Sequence, residues 1–401
     1  MNKNIRLLLF AKWISNFGTQ LHSLAFPIIV YNQTHSSTIL SLAFIAETLP
    51  WLFIGPIIPH TLSKKMSDKS ILVLCDLMRF LIVIGILNFI KIPYIVLCLI
   101  FFLGCFNSIY GSFRTSIIKS NTDDLTLTKT IGISLGVDDL INMLAPAFGA
   151  LLISIGILPT IFLMADSVSY LLSAFLILKI QSNEDKHLSE SESNLNFYHQ
   201  ATEGFHTIWN NIELKWLVIL EGIRSLVEGI SIPLLILYVT QILLKSETTF
   251  AWSRAISSIF SILASLMYIK FEAKLAKGKF VNIGTAFLTI SLLSMAFFNE
   301  IYVFYLASAF LGIGMGIRQL VSENLLIKLT DNCKLPQVTS AFNAFISSLY
   351  LLGYGISIFQ REGISVVYFF AISGFLLLLG YFYKAPSTLK HALLLQRELE
   401  N

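Results

Sequence analysis

The stretch Phe102–Ile153, FLGCFNSIYGSFRTSIIKSNTDDLTLTKTIGISLGVDDLINMLAPAFGALLI, decides the class of this chain. It holds two apolar runs, each able to supply the roughly 20 residues that cross a bilayer. A short loop with charges of both signs joins them. Arg114 lies inside the first run, and Asp138 and Asp139 lie inside the second. An ionised side chain at mid-bilayer costs at least about 2.5–3.5 kcal/mol, so such residues face a bundle interior or a wet cavity.

The rest of the chain has the same character. Its 401 residues are 55% hydrophobic and 13% charged, with a mean hydropathy of +0.74. A soluble protein carries about 25% charged residues, and a water-soluble globule of this composition would expose large apolar patches. The chain is therefore expected to be an all-α polytopic membrane protein with the lipid bilayer as its partner. A net charge of +4 gives no pointer to nucleic acid. Cys75, Cys98, Cys105 and Cys333 are far apart, so neither a disulfide framework nor a metal site is implied. There is no Gly-x-x-x-x-Gly-Lys-Ser/Thr loop, cofactor fingerprint or nucleophile elbow. ATP hydrolysis, enzymatic chemistry and a bound cofactor are not expected, and any energy source is external, most simply an ion gradient. The start, MNKNIRLLLFAKW, reads as an uncleaved first helix: Lys12 interrupts the apolar run and no small-residue cleavage site follows.

About twelve apolar runs of spanning length follow one another, centred near Ser23, Trp51, Ile82, Cys105, Met143, Tyr170, Ile230, Phe260, Thr289, Leu311, Tyr350 and Leu376. The longest connection, 181–213, begins polar and acidic. Within it Phe197, Ala201, Phe205 and Ile208 recur at helical spacing, as in an amphipathic surface helix. It divides the chain into two six-helix halves, 1–180 and 214–384, followed by a tail, 385–401. With the N-terminus inside, the cytoplasmic side collects Lys64, Lys65, Lys69, Lys119, Lys129, Lys186, Lys274, Lys277, Lys279 and Lys334. The other side shows only Lys91, Lys245 and Arg361. That bias predicts both termini in the cytoplasm. The halves echo each other. Phe102-Leu103-Gly104 matches Phe310-Leu311-Gly312, Arg114 has a near counterpart in Arg318, and Asp123 has one in Asp331.

Several charges lie deep in their runs. Gly104, Asn107, Gly111 and Arg114 form a small, polar and finally cationic stripe on the fourth span. Glu221, Arg224 and Glu228 share a face of the seventh, and the tenth carries Arg318, Gln319 and Glu323. Each arginine is either neutralised by an interior acid or left to contact substrate. Asp138 or Asp139 would pair with Arg114, and Glu221 or Glu228 with Arg224. Asp138 and Asp139 diverge by about 100° on a helix, so one could carry a coupled proton while the other pairs. Glu47 and Asp166 are further candidates for that role. His22, with a side chain that titrates near neutrality, is a candidate for substrate contact or a packed polar residue. Asp76 and Arg79, at i and i+3, read as a structural or gating pair beside the Lys64 loop.

The order of several blocks resembles the major facilitator superfamily, and within it bacterial macrolide-efflux and enterobactin-exporter-like proteins. The blocks are WISNFGTQLHSLAFPIIVYNQTHSS, ETLPWLFIGP, LVLCDLMRF, LTKTIGISLGVDDLINMLAPAFGALL and ADSVSYLLSAFLI. Two departures stand out. The loop GPIIPHTLSKKMSDKS puts Ser63 and Lys64 where the family's Asp and Arg are expected. In the fifth span Gly132, Pro146 and Gly149 keep the register of the antiporter motif, but Ala145 replaces the glycine before the proline. The resemblance implies two six-helix pseudo-repeats around a cavity lined by spans one, four, seven and ten. It places Lys64 and Pro146 in gating elements. His22, Asn107, Arg114, Arg224 and Arg318 would then reach towards one space, and guanidinium forks there favour a carboxylate. The implied function is proton-coupled export of a small amphiphilic or anionic molecule, such as a siderophore or an antibiotic, from the inner membrane by a monomer. Import of a siderophore or other carboxylate, and a non-transporting sensor, are the alternatives.

Overall fold

A computed structural model describes residues 3–62, 66–120, 124–180, 197–271, 277–330, 334–360 and 364–382. Among them the chain forms thirteen α-helices and one π-helical turn. The first six are α1 Lys3–Thr34, α2 Ser37–Leu62, α3 Asp68–Asn88, α4 Pro93–Ser120, α5 Asp124–Ser154 and α6 Pro159–Leu178. A shorter helix, α7 Phe197–Asn210, precedes the second six. These are α8 Ile212–Leu237, α9 Glu247–Phe271, α10 Lys277–Phe297, α11 Ile301–Leu329, α12 Leu335–Ser357 and α13 Val366–Phe382. The π turn, Tyr238–Ile242, continues α8. Nine described segments are long and apolar enough to cross a membrane. Helix is what the sequence demands there, because within hydrocarbon every backbone N–H and C=O must be bonded inside its own segment.

Local signals set the ends. The Ser67 hydroxyl caps α3 by accepting from the Ser70 N–H, and the Asn211 side chain caps α8 by accepting from Glu213 and Leu214 N–H. Pro159 opens α6, where its missing N–H costs nothing. Gly156 turns the chain between α5 and α6 at φ +92°, a conformation that strains any side chain.

The burial pattern is that of a protein in lipid. On α6, Ile161, Met164, Val168, Leu171, Phe175 and Leu178 face outwards, while Asp166, Ser167, Ser169 and Ser173 are buried. A helix packed in water would show the reverse. The polar residues of α6 lie on its buried side, among Phe162, Leu163, Tyr170, Ala174 and Ile177, and its outer face is an apolar stripe.

The chain divides into two compact units, Met1–Ser191 and Glu192–Asn401. Their internal packing is the same. In the first, α1 packs on α5 and α6, α2 on α4, and α3 on α4 and α6. In the second, α8 packs on α12 and α13, α9 on α11, and α10 on α11 and α13. The Phe-Leu-Gly echo has a steric cause in this scheme. A Cβ on Gly104 of α4 would strike the Glu47 carbonyl of α2, and one on Gly312 of α11 would strike the Ser257 carbonyl of α9. Gly316 lies equally tight on Ser261, one turn further along α9. Such close approach is the usual role of small residues between membrane helices. Gly136 of α5, by contrast, meets nothing within 4 Å.

The amphipathic helix is present as α7. Gly204 and Ile208 are buried, Gly204 against the Gln337 carbonyl of α12, while Phe205 and Trp209 are exposed. A glycine fits flush to a backbone where the bulkier Phe205 could not. Lys64, Asp123 and Asp331 lie outside the described residues.

Gly104→Val and Gly312→Val should each destabilise the protein by about 1–3 kcal/mol, the usual cost of overpacking. Thermal unfolding of the purified protein in detergent checks this. Gly136→Ala should leave the unfolding temperature unchanged.

Candidate functional site

The N-terminal unit contains a polar chain that runs through three helices. Asp76 and Arg79 form an ion pair on α3, and both are buried. Asp76 also accepts a hydrogen bond from Ser173 of α6 at 2.7 Å. The Arg79 guanidinium lies between two rings, 4.0 Å from the centroid of Tyr110 and 4.5 Å from that of Tyr170, an arrangement in which the ring faces offset part of the lost hydration. It also donates to Asn107 Oδ1 at 3.3 Å. The Tyr170 hydroxyl meets Thr19 at 3.0 Å, and Thr19 donates to Asp166 at 3.3 Å. The chain ends at His22, whose Nδ1 is 2.7 Å from Asp166 Oδ2. Asp166 is fully buried and His22 is 8% exposed. Glu47 of α2 is close enough to act electrostatically on both. Titratable side chains from α1, α2 and α6 thus lie near one another.

A second ion pair links α1 to α5. Lys12 bonds to Asp138, and its Nζ donates to Ser134 at 2.7 Å. The expected pairing of Asp138 with Arg114 is therefore replaced. Lys12 reaches across from α1, while the Nε of Arg114 and the Oδ1 of Asp138 are buried without a hydrogen bond. The side chain of Asp139 lies outside the described residues.

The C-terminal unit builds its network around two glutamates of α8. Glu221 accepts from Arg224 at 2.6 Å and from Ser322 at 2.5 Å, and it forms an ion pair with Arg318 of α11 at 2.7 Å. Glu228 accepts from Arg224 at 2.5 Å and from the Tyr350 hydroxyl of α12. Arg318 also donates to Thr285 of α10 at 2.7 Å and is only 1% exposed. Arg224 and Glu228 line a cleft, together with Arg254 of α9.

Arg318 is held between Glu221 and Thr285. Asn107 is an acceptor for Arg79. Asp76 and Arg79 are buried in the core of their unit. His22 is held by Asp166, an acid 144 residues away in sequence. Glu323 lies on an exposed part of α11, and Pro146 is buried within α5. Lys12 and Arg254 stand in the sequence only as single cations within apolar runs. An isolated cation inside a spanning segment was the available signal in both cases.

Comparison with known proteins follows this geometry. The family model described as Major Facilitator Superfamily matches residues 8–221. An MFS-type transporter of Bacillus subtilis, YfmI, is 22% identical, with 96% of each chain covered. The fold is shared with the nucleoside transporter NupG (TM-score 0.73, 10% identity, 95% of this chain and 98% of that one). It is shared equally with a bacterial homologue of the iron transporter ferroportin (TM-score 0.73, 13% identity, 95% and 97%). The chain belongs to the Major Facilitator Superfamily and is a membrane transporter, not an enzyme.

Proposed function

We propose that the protein is a proton-coupled exporter of a small amphiphilic or anionic organic molecule, working by alternating access in the cytoplasmic membrane. The His22–Asp166 pair with Glu47 beside it carries this reading. Most buried charges of the chain sit opposite a permanent charge. Arg79 faces Asp76, Lys12 faces Asp138, and Arg224 and Arg318 face Glu221. An imidazole between two carboxyls is different, because its charge depends on whether a proton is present. Such a site can take up a proton from one side and release it to the other.

The anionic character of the cargo is supported by Arg254 of the C-terminal unit, which lines a cleft without an ion pair among the described residues. The exporter-like register of Gly132, Pro146 and Gly149 supports outward direction. Gly149 packs against Leu21 and Leu24 of α1 and Phe162 of α6, so this part of α5 is pressed onto the helix that carries His22. The lysine bias between loops supports cytoplasmic termini. A siderophore or a hydrophobic drug has the chemistry expected of the cargo.

The direct test is uptake into inverted membrane vesicles under an imposed pH gradient, with siderophores and hydrophobic drugs offered in parallel. Gradient-driven uptake of at least one class is expected, and it should fall to background in His22→Gln and Asp166→Asn. If no compound responds to the gradient, the coupling proposal is wrong. Uptake in the opposite orientation would make the protein an importer.

Lys12→Gln combined with Asp138→Asn replaces a paired charge by a neutral pair, so it should keep gradient-driven uptake. Lys12→Gln alone strands a buried carboxylate and should lower stability by about 3–5 kcal/mol. Unfolding temperature and uptake measured on the same preparations separate the two effects.

A further inference from the structure

Within the C-terminal unit, helices α8, α9, α10, α11 and α13 line a cleft. Its charged part is Arg224, Glu228 and Arg254, and most of the remaining wall is apolar, with the half-buried Ile232, Leu311 and Met315 offering accessible surface.

The charges do not balance. Glu221 is bonded by Arg224 and Arg318, and Glu228 by Arg224 and Tyr350. Three guanidiniums, those of Arg224, Arg254 and Arg318, therefore face two carboxylates. The surplus falls on Arg254. Among the described residues its guanidinium has no ion pair and no hydrogen bond. Glu228 acts on it only at longer range, and that carboxylate is already taken. A guanidinium inside a spanning segment needs a counter-charge, and this one lines an open cleft.

The walls narrow the choice of anion. A small hydrated anion would give up its water to aliphatic surfaces that return no hydrogen bonds. A ligand with its own apolar chain loses nothing there and gains by burying it. We propose that this cleft binds a single-chain anionic amphiphile, with a carboxylate or phosphate head on Arg254 and the chain along Ile232, Leu311 and Met315. The site deepens the transport proposal by naming the substrate class, but binding itself needs no gradient. The ligand could be exported cargo or an anionic lipid of the bilayer, which share this chemistry.

The test uses the full chain in phosphatidylcholine nanodiscs without a gradient, with dodecanoate, dodecanol and inorganic phosphate as probes. Dodecanoate should bind at least about tenfold tighter than dodecanol, the least expected of one charge-assisted contact, and should raise the unfolding temperature. Arg254→Gln should lose that preference, and Arg254→Lys should keep part of it. Equal binding of dodecanoate and dodecanol in the wild type overturns the proposal, as does a preference that survives Arg254→Gln. Inorganic phosphate binding as tightly as dodecanoate overturns the role of the chain. Phosphatidylglycerol in the nanodisc distinguishes the sources. Competition with dodecanoate points to lipid, and its absence points to soluble cargo. Dodecanoate selectivity without gradient-driven transport would sink the exporter reading and leave the site standing. Transport without selectivity would do the opposite.

Discussion

A charge removed from water must meet its opposite within the protein, and the interior of this chain is arranged by that constraint. The partners come from other helices. Lys12 and Asp138 join α1 to α5, His22 and Asp166 join α1 to α6, and Arg318 and Glu221 join α11 to α8. Ser173 on Asp76 joins α6 to α3, and Tyr350 on Glu228 joins α12 to α8. These follow the helix packing of each unit. An interhelical hydrogen bond in a membrane is worth only about 0.6–2 kcal/mol, but leaving a buried charge alone costs more. Polar contacts therefore select which helix faces meet, while glycines such as Gly104 and Gly312 let them come close enough.

The two units repeat their backbone packing without repeating their chemistry. Each buries one guanidinium almost completely, Arg79 in the first and Arg318 in the second. Arg79 is satisfied by an acid of its own helix and by two tyrosine faces. Arg318 is satisfied by an acid and a hydroxyl of neighbouring helices. Arg114, the counterpart of Arg318 by sequence, has no ion pair among the described residues, and its Nε, like those of Arg79 and Arg318, is buried without a hydrogen bond. A duplicated scaffold has kept its close-packing glycines while its charged sites diverged.

The helices, the two sets of six and the amphipathic α7 were all legible in the sequence, because apolar run length and helical periodicity are local properties. The stripe Glu221, Arg224 and Glu228 was legible for the same reason, since all its members lie within two turns. Pairings across the bundle were not. Lys12 and Asp138 are 126 residues apart, and a run of sequence carries no sign of which distant acid a lysine will reach. On α7 the flush contact of Gly204 with the Gln337 carbonyl sets the face that packs on α12.

His22 is the side chain on which the proposed coupling depends, and its protonation state can be read directly. Nitrogen-15 NMR of the histidine-labelled protein, assigned by comparison with His22→Gln, follows that imidazole through the range of about pH 5–8 in which histidines titrate. Loss and gain of the ring proton within this range, altered by Asp166→Asn, is the result expected of a coupling site. An imidazole that keeps one protonation state throughout would contradict it.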